Sequence, residues 1–360
     1  MRRARDHALR QPAEWHRHDA VWTAWPHLAD EWAEGLDEPR RSLMAMCAAI
    51  VDLDDAGRPR GERVDLLVPD GAAEAEARAL LGPAAAGVRF HRAHYGDVWL
   101  RDTGPVFVID ERAGRIAAAC FEFDGWGGKY MMPGDATLSH WVAGAAGVPA
   151  WAQGYVLEGG AIEVDGEGTV LTTRPCLLGG NRNHRPGGPW TGWTETQVDE
   201  LLTASLGAEK VIWLDRGLAN DHTDGHIDTL ARFVAPGVVA AMVPAVGDPN
   251  RDALDGIIAD LRAATDARGR RLEVVTVPSP GSVVDGTGRL MPASYMNFYI
   301  GNSAVVVPTY RAPADDAAVA AIAAMFPGRR TVGVDAYPVL VGGGAFHCTT
   351  QQQPSPQQGG

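Results

Sequence analysis

Cys348 is the residue of this chain best placed for covalent chemistry. It lies in the run VGGGAFHCTTQQQP at 341–354. Three consecutive glycines let the backbone turn sharply and approach a ligand closely. His347 stands directly before the thiol, and the hydroxyls and amides after it can hydrogen-bond a polar ligand. A cysteine becomes a strong nucleophile where cationic or hydrogen-bonding surroundings lower its pKa. The plainer alternative is a buried structural cysteine beside a glycine turn. Cys47, Cys120 and Cys176 lie in apolar stretches and read as core residues.

Three acidic segments are candidate partners. The richest runs from Asn220 to Asp228, with His222 and His226 four apart among Asp221, Asp224 and Asp228. One reading is a metal site of histidine and carboxylate. Another makes His226 a general acid/base with Asp228, two residues on, as its charge partner. A polar loop of turn-forming residues is the third. Gly225 argues against a regular helix presenting both histidines on one face. The second segment, Asp97 to Pro105, places Asp102 between Arg101 and Thr103-Gly104, where it is either a site residue or half of a surface ion pair. In the third, Glu158 leads into Gly159-Gly160 and is a candidate to orient a histidine or a substrate N–H.

A thiol, a histidine and three carboxylates suit attack on a guanidinium. That group is planar, permanently cationic and carries five N–H donors in a fixed fork. Carboxylates grip it bidentately. Its carbon is a poor electrophile, but a thiolate can attack if the site stabilises the tetrahedral intermediate. Histidine then protonates the departing ammonia and activates water, and no metal or other cofactor is needed.

The elements that must position these groups are short. Strand-like runs occur at Val64–Pro69, Val106–Ile109, Ala117–Phe121, Thr169–Thr173, Val211–Leu214, Val238–Met242, Leu272–Val277, Ala304–Pro308 and Thr331–Val334. Apolar residues three and four apart predict helices at Pro39–Asp54, Glu195–Leu206, Asn250–Arg268 and Asp315–Met325. The mixture reads as α/β. Four strands are expected to end in polar turns: Trp99–Arg101, Val156-Leu157, Val211–Leu214 and Tyr337–Val341. Strand-end loops that send polar groups to one face can build a site from distant sequence.

Composition bounds the rest. The chain has 360 residues, 46 % of them hydrophobic and 21 % charged, as in an ordinary globular protein. Four scattered cysteines without a CxxC pair favour a reducing cytoplasm. The charged N-terminus lacks the apolar run of a signal peptide, and no stretch is long and apolar enough to span a bilayer. A net charge of −13 argues against nonspecific nucleic-acid binding and mildly favours a small cationic substrate. A single domain over 1–354 is expected, with 355–360 as a flexible tail.

WPH at 25–27 with DEW at 30–32, WLRDTGP at 99–105, LEGGAIEVDGEGTVLTT at 157–173, NRN at 181–183, TDGHID at 223–228, SYMNFYIGN at 294–302 and GGGAFHCTTQQQP at 342–354 carry a resemblance. In this order they resemble the agmatine deiminase family, which belongs with the bacterial-type peptidylarginine deiminases in the guanidine-modifying superfamily. The resemblance implies an α/β propeller (the pentein fold) of five ββαβ-type repeats around a pseudo-fivefold axis, with a central site. It also implies roles: Cys348 as nucleophile, His226 as general acid/base, Asp102 and Asp228 as guanidinium ligands, and Glu158 as support for the histidine and a substrate nitrogen. It implies a small guanidine substrate and a homo-oligomer. Trp99, Asp97 and the Trp190–Trp193 loop are candidates for the far end of the substrate. Agmatine deiminases typically show Asn where this chain has Asp224, and Gly-Gly-Gly-Asn-Ile-His-Cys where it has Ala345 and Phe346. Arginine, peptidyl-arginine, another alkylguanidine or amidino transfer therefore stay open as alternatives.

Overall fold

The structure is a computed structural model, and it describes residues 9–32, 34–183 and 192–356. Runs of β-branched and small apolar residues form its strands, which fall into five sheets. The first sheet holds β1 (His18–Ala24), β2 (Arg63–Val68) and β3 (Val88–Arg92). The second holds β4 (Val106–Asp110), β5 (Arg115–Glu122) and β6 (Ala150–Val156). The third holds β7 (Glu163–Val164), β8 (Thr169–Thr173) and β9 (Lys210–Leu214). The fourth holds β10 (Ala231–Ala235), β11 (Val238–Val243) and β12 (Glu273–Pro278). The fifth holds β13 (Tyr299–Ile300), β14 (Ala304–Thr309) and β15 (Arg330–Asp335). The last strand, β16 (Gln351–Pro354), returns to pair antiparallel with β1.

One motif recurs. In every sheet an antiparallel pair is followed by a parallel strand: β16-β1-β2, β4-β5-β6, β7-β8-β9, β10-β11-β12 and β13-β14-β15. A parallel step needs a crossover, and a helix supplies it each time. The crossovers are Asp37–Val51, Asp135–Ala146, Glu195–Leu206, Arg251–Ala263 and Asp315–Met325. Local chemistry fixes their ends. Thr194 and Gln197 form a capping box, and Gly207 ends the same helix in the left-handed region.

The first strand of each pair is preceded by a tight turn. These are the helical turn Leu100–Thr103 before β4, the 3-10 turns Gly159–Ala161 before β7 and Ile227–Thr229 before β10, the turn closed by Asn297 N–H to the Ser294 carbonyl before β13, and the turns over 345–350 before β16. Every expected strand run is present. Two of the expected strand ends are not strands, however. Trp99–Arg101 runs into the helical turn Leu100–Thr103, and Tyr337–Leu340 is itself a helical turn with Pro338 in its first turn. The helix expected to reach Arg268 stops at Ala263, because the Asp266 carboxylate accepts the Arg268 and Arg270 N–H groups and holds a turn there. Ser355 is still held through its N–H to the Arg17 carbonyl, and residues 357–360 lie outside the described residues.

Candidate active site

The five turns bring their polar residues together. Asp102, Glu158, His226 with Asp228, Asn297 and Cys348 come from turns leading into five different sheets, and all are buried. A cavity of about 160 Å³ reaches Cys348 and Asp102 and is lined also by Trp99, Trp126, His222 and Asp97. A smaller void behind it is lined by His226, Asp228, Asn297, Ala345 and Cys348.

The glycine run has three separate geometric reasons. A Cβ on Gly342 would lie 2.7 Å from the Trp32 ring, and Gly343 adopts φ +122°. A Cβ on Gly344 would lie 2.8 Å from the Trp99 ring and 3.0 Å from Cys348 Cβ. Past the run, Cys348 Sγ lies 3.1 Å from Asn297 Nδ2, and the Cys348 N–H donates to Asn297 Oδ1 at 3.2 Å. Sγ is 3.5 Å from Asp228 Oδ2. Burial first, then the charges of Asp228 and Asp102, hold this cysteine well above the usual thiol range, with Asn297 opposing. These surroundings favour the thiol over the thiolate.

Asp102 Oδ1 accepts the Gly160 N–H and Oδ2 the Trp126 indole N–H, both at 2.9 Å. Burial and the nearby charges of Asp228 and Glu158 push its carboxyl up to about 8. A Cβ on Gly160 would lie 2.5 Å from His226 Nδ1, so glycine is what allows the imidazole to approach this turn. His226 is fully buried, and among the described residues neither ring nitrogen has a hydrogen-bond partner. Burial pulls it down to about 3, which leaves a neutral base. Asp228 behaves differently. Burial acts to raise its carboxyl, but the hydrogen bond and charge of His347 outweigh this and hold it below the ordinary carboxylate range. Its Oδ1 is buried and has no hydrogen-bond partner among the described residues.

Glu158 Oε1 accepts from Arg182 Nε at 2.7 Å, while Oε2 is buried without a partner. Burial raises this carboxyl against the pull of Arg182. Asp224, the departure noted beside His226, fixes Arg182 at 2.6 Å and also binds Lys129 and Asn181. It therefore acts on Glu158 through Arg182. Of the other departures, Ala345 lines the small void, whereas Phe346 is packed in the main apolar core.

Several expectations change. Arg101 does not pair with Asp102 on the surface. It is buried and donates to Gln352 Oε1 and Gln351 Oε1. His222 and His226 do not converge: His222 Nδ1 meets Tyr130 Oη at 3.2 Å, and Nε2 meets Arg289 at 2.7 Å. Glu158, Cys176 and His226 instead bring possible metal-ligand atoms within 4.8 Å of one another. Burial holds Cys176 well above the usual thiol range, whereas a metal requires the thiolate. Trp99 stacks on Trp32 with ring centres 6.1 Å apart, and Asp97 accepts the Trp32 indole N–H at 3.2 Å. Trp193 packs against Tyr155 in a separate core, and Trp190 lies outside the described residues. Asn297 was not singled out by sequence. Its only signal is its place just before a short strand, in the one remaining sheet without an acidic turn residue.

This α/β chain, with a thiol, a histidine and clustered carboxylates delivered by equivalent turns, matches the profile of the Porphyromonas-type peptidyl-arginine deiminases over residues 10–354. It belongs to that family. It is 35 % identical to an agmatine deiminase of Pseudomonas fluorescens, across 96 % of each chain. A Streptomyces avermitilis protein that carries agmatine deiminase as a provisional name is 41 % identical, across 96 % of this chain and 97 % of its own. Among solved structures, the agmatine deiminase of Enterococcus faecalis superposes with a TM-score of 0.89 at 30 % identity, covering 99 % of this chain and 98 % of its own.

Proposed function

We propose that this chain is an agmatine deiminase, hydrolysing agmatine to N-carbamoylputrescine and ammonia. The observation that carries the reading is the meeting of the Cys348 thiol with Asp102, Asp228 and an unpartnered His226 in one buried site. The larger cavity favours agmatine over arginine. Among the described residues its lining includes Glu31 and Asp97 besides Asp102, and no Lys or Arg, so it suits a second cation better than a substrate carboxylate.

In this reading the guanidinium enters between Asp102 and Asp228, and its charge offsets the carboxylates that hold Cys348 protonated. The thiol proton passes to neutral His226 as sulfur bonds to the guanidinium carbon. His226 returns the proton to the departing nitrogen, the C–N bond breaks and ammonia leaves. The product is a thiouronium on Cys348. Water then gives a proton to His226 and adds to the same carbon. The C–S bond breaks as the hydroxyl proton passes to the leaving sulfur, the ureido product leaves, and His226 releases the proton taken from water to the departing ammonia or solvent. Glu158 Oε2 serves a substrate N–H or the transient imidazolium. Trp99 and Asp97 shape the path to the thiol. The electrostatics thus favour deprotonation on substrate binding over a standing thiolate–imidazolium pair.

In the same proposal the five sheets stand around a common axis as blades of a propeller, with their leading turns at its centre. The recurring antiparallel-then-parallel motif supports this. Cytoplasmic location rests on four unpaired thiols, and self-association rests on the family resemblance alone. A panel of agmatine, arginine, a peptidyl-arginine and simple alkylguanidines tests the substrate, with ammonia and ureido product measured and Cys348→Ala as control. Turnover of arginine above agmatine sinks the substrate assignment. Ammonia release by Cys348→Ala near the wild-type rate sinks the mechanism. Amidino transfer to an amine without ammonia release would replace hydrolysis.

A further inference from the structure

His347 Nδ1 lies 2.7 Å from Asp228 Oδ2, and Nε2 lies 2.7 Å from Glu14 Oε2. The ring is 1 % exposed, so water cannot substitute for either contact. We propose that His347 is a positioning residue held as an imidazolium between Asp228 and Glu14, keeping Asp228 ionised with Oδ1 free for the substrate.

Hydrogen-bond inventory leads there. A neutral imidazole donates from one nitrogen and presents a lone pair at the other, whereas ionised carboxylates only accept. For Glu14, burial acts to raise the carboxyl, but Arg232 and His347 more than reverse it and hold it well below the usual range. Arg232 also acts to lower Asp228, independently of His347. Each ring nitrogen therefore faces an acceptor, and both contacts are favourable only if both nitrogens carry hydrogen.

Charge balance points the same way. Arg232 joins Glu14 at 2.9 Å and Glu163 at 3.0 Å, and Arg101 lies 3.5 Å from Glu14. Burial raises the Glu163 carboxyl, whereas Glu14 and Asp228 are held low, and His347 is the positive charge that contacts both of these. His226 is neutral and cannot supply it. The residue is also anchored at its backbone: its N–H donates to the Asn297 carbonyl at 3.1 Å, and its carbonyl accepts from Arg101 Nε at 3.2 Å. The cation engages the Asp228 oxygen nearest Cys348 Sγ, which draws negative charge away from the forming thiolate.

Two measurements test this. In the intact wild-type enzyme labelled with 15N-histidine and assigned through the backbone, both His347 ring nitrogens should show the protonated signature at neutral pH. A neutral tautomer overturns the proposal, and this arm needs neither a variant nor a substrate. In His347→Gln, kcat/KM for agmatine should fall about 100-fold. The acid limb of its pH profile should rise by about one unit as Asp228 becomes easier to protonate. Loss of activity with an unmoved acid limb marks a packing role and overturns the proposal. The kinetic arm rests on the agmatine reading. If the wild type releases no ammonia, that reading fails while the nitrogen shifts still decide His347.

Discussion

Asn297 and Cys348 are joined twice: the side-chain amide reaches Sγ at 3.1 Å through Nδ2, and its Oδ1 accepts the Cys348 N–H at 3.2 Å. One residue therefore fixes the backbone of the nucleophile and offers its sulfur a donor. The donor counts most when sulfur is anionic. Asn297→Ala should lower kcat by about 10- to 100-fold, in the range of losing one donor to a developing anion. Steady-state kinetics with circular dichroism as a folding control checks this, and an unchanged kcat would remove Asn297 from the site.

Burial and the carboxylates of Asp228 and Asp102 favour the thiol form of Cys348, so its reactivity should depend on the charge of the reagent. A cationic haloacetamidine restores the balance that a guanidinium would bring, whereas neutral iodoacetamide does not. Inactivation by the cationic reagent should be at least about tenfold faster at neutral pH. Equal second-order rate constants would instead indicate a thiolate already present in the free enzyme.

Asp102 links function to stability. Its carboxyl is pushed up to about 8 in the fold, first by burial and then by Asp228 and Glu158. From about pH 4 to 8 the native state keeps a proton that the unfolded chain has released, so this residue's contribution to stability falls as pH rises through that window. Below about pH 4 both states hold the proton and there is no difference. Asp102→Asn should therefore melt above the wild type at about pH 9, by a margin of about 1–3 kcal/mol, with the gap closing near pH 4. Activity should fall by at least about 100-fold. Paired thermal melts at the two pH values read the sign directly.

Gly344 tests the packing behind the nucleophile. Adding one methyl brings it against the Trp99 ring and Cys348 Cβ. Gly344→Ala should destabilise by about 1–3 kcal/mol and lower kcat more than it raises KM, because the displaced group is the nucleophile. Denaturant unfolding with kinetics separates the two effects.

The chemistry was more legible than the scaffold. Cys348, His226, Asp102, Asp228 and Glu158 declared themselves because reactive residue types stood beside glycines, and the structure brings all five together. Pattern found nine of the strands and the end of β6, but passed over seven-residue β1 and five-residue β3 and β10. The turn-side strands β7 and β13 span two residues each, too short for any alternation to register. β16 is Gln-Gln-Gln-Pro and is buried despite its polarity, since Trp22 donates to Gln353 and Arg101 to Gln351 and Gln352. Asn297 and the Glu14–His347 contact stayed hidden because they join residues far apart in sequence, and the pairing exists only after folding.

Spreading the site's groups over five sheets has a consequence for partly folded molecules. No single hairpin or undocked sheet carries both the Cys348 thiol and the Asp102–Asp228 pair. A refolding chain should thus acquire its far-ultraviolet signal well before any turnover, and the return of ammonia release would time the docking of the last sheet. The enzyme acts as an all-or-nothing reporter of its own assembly, inert toward guanidines until every station is filled.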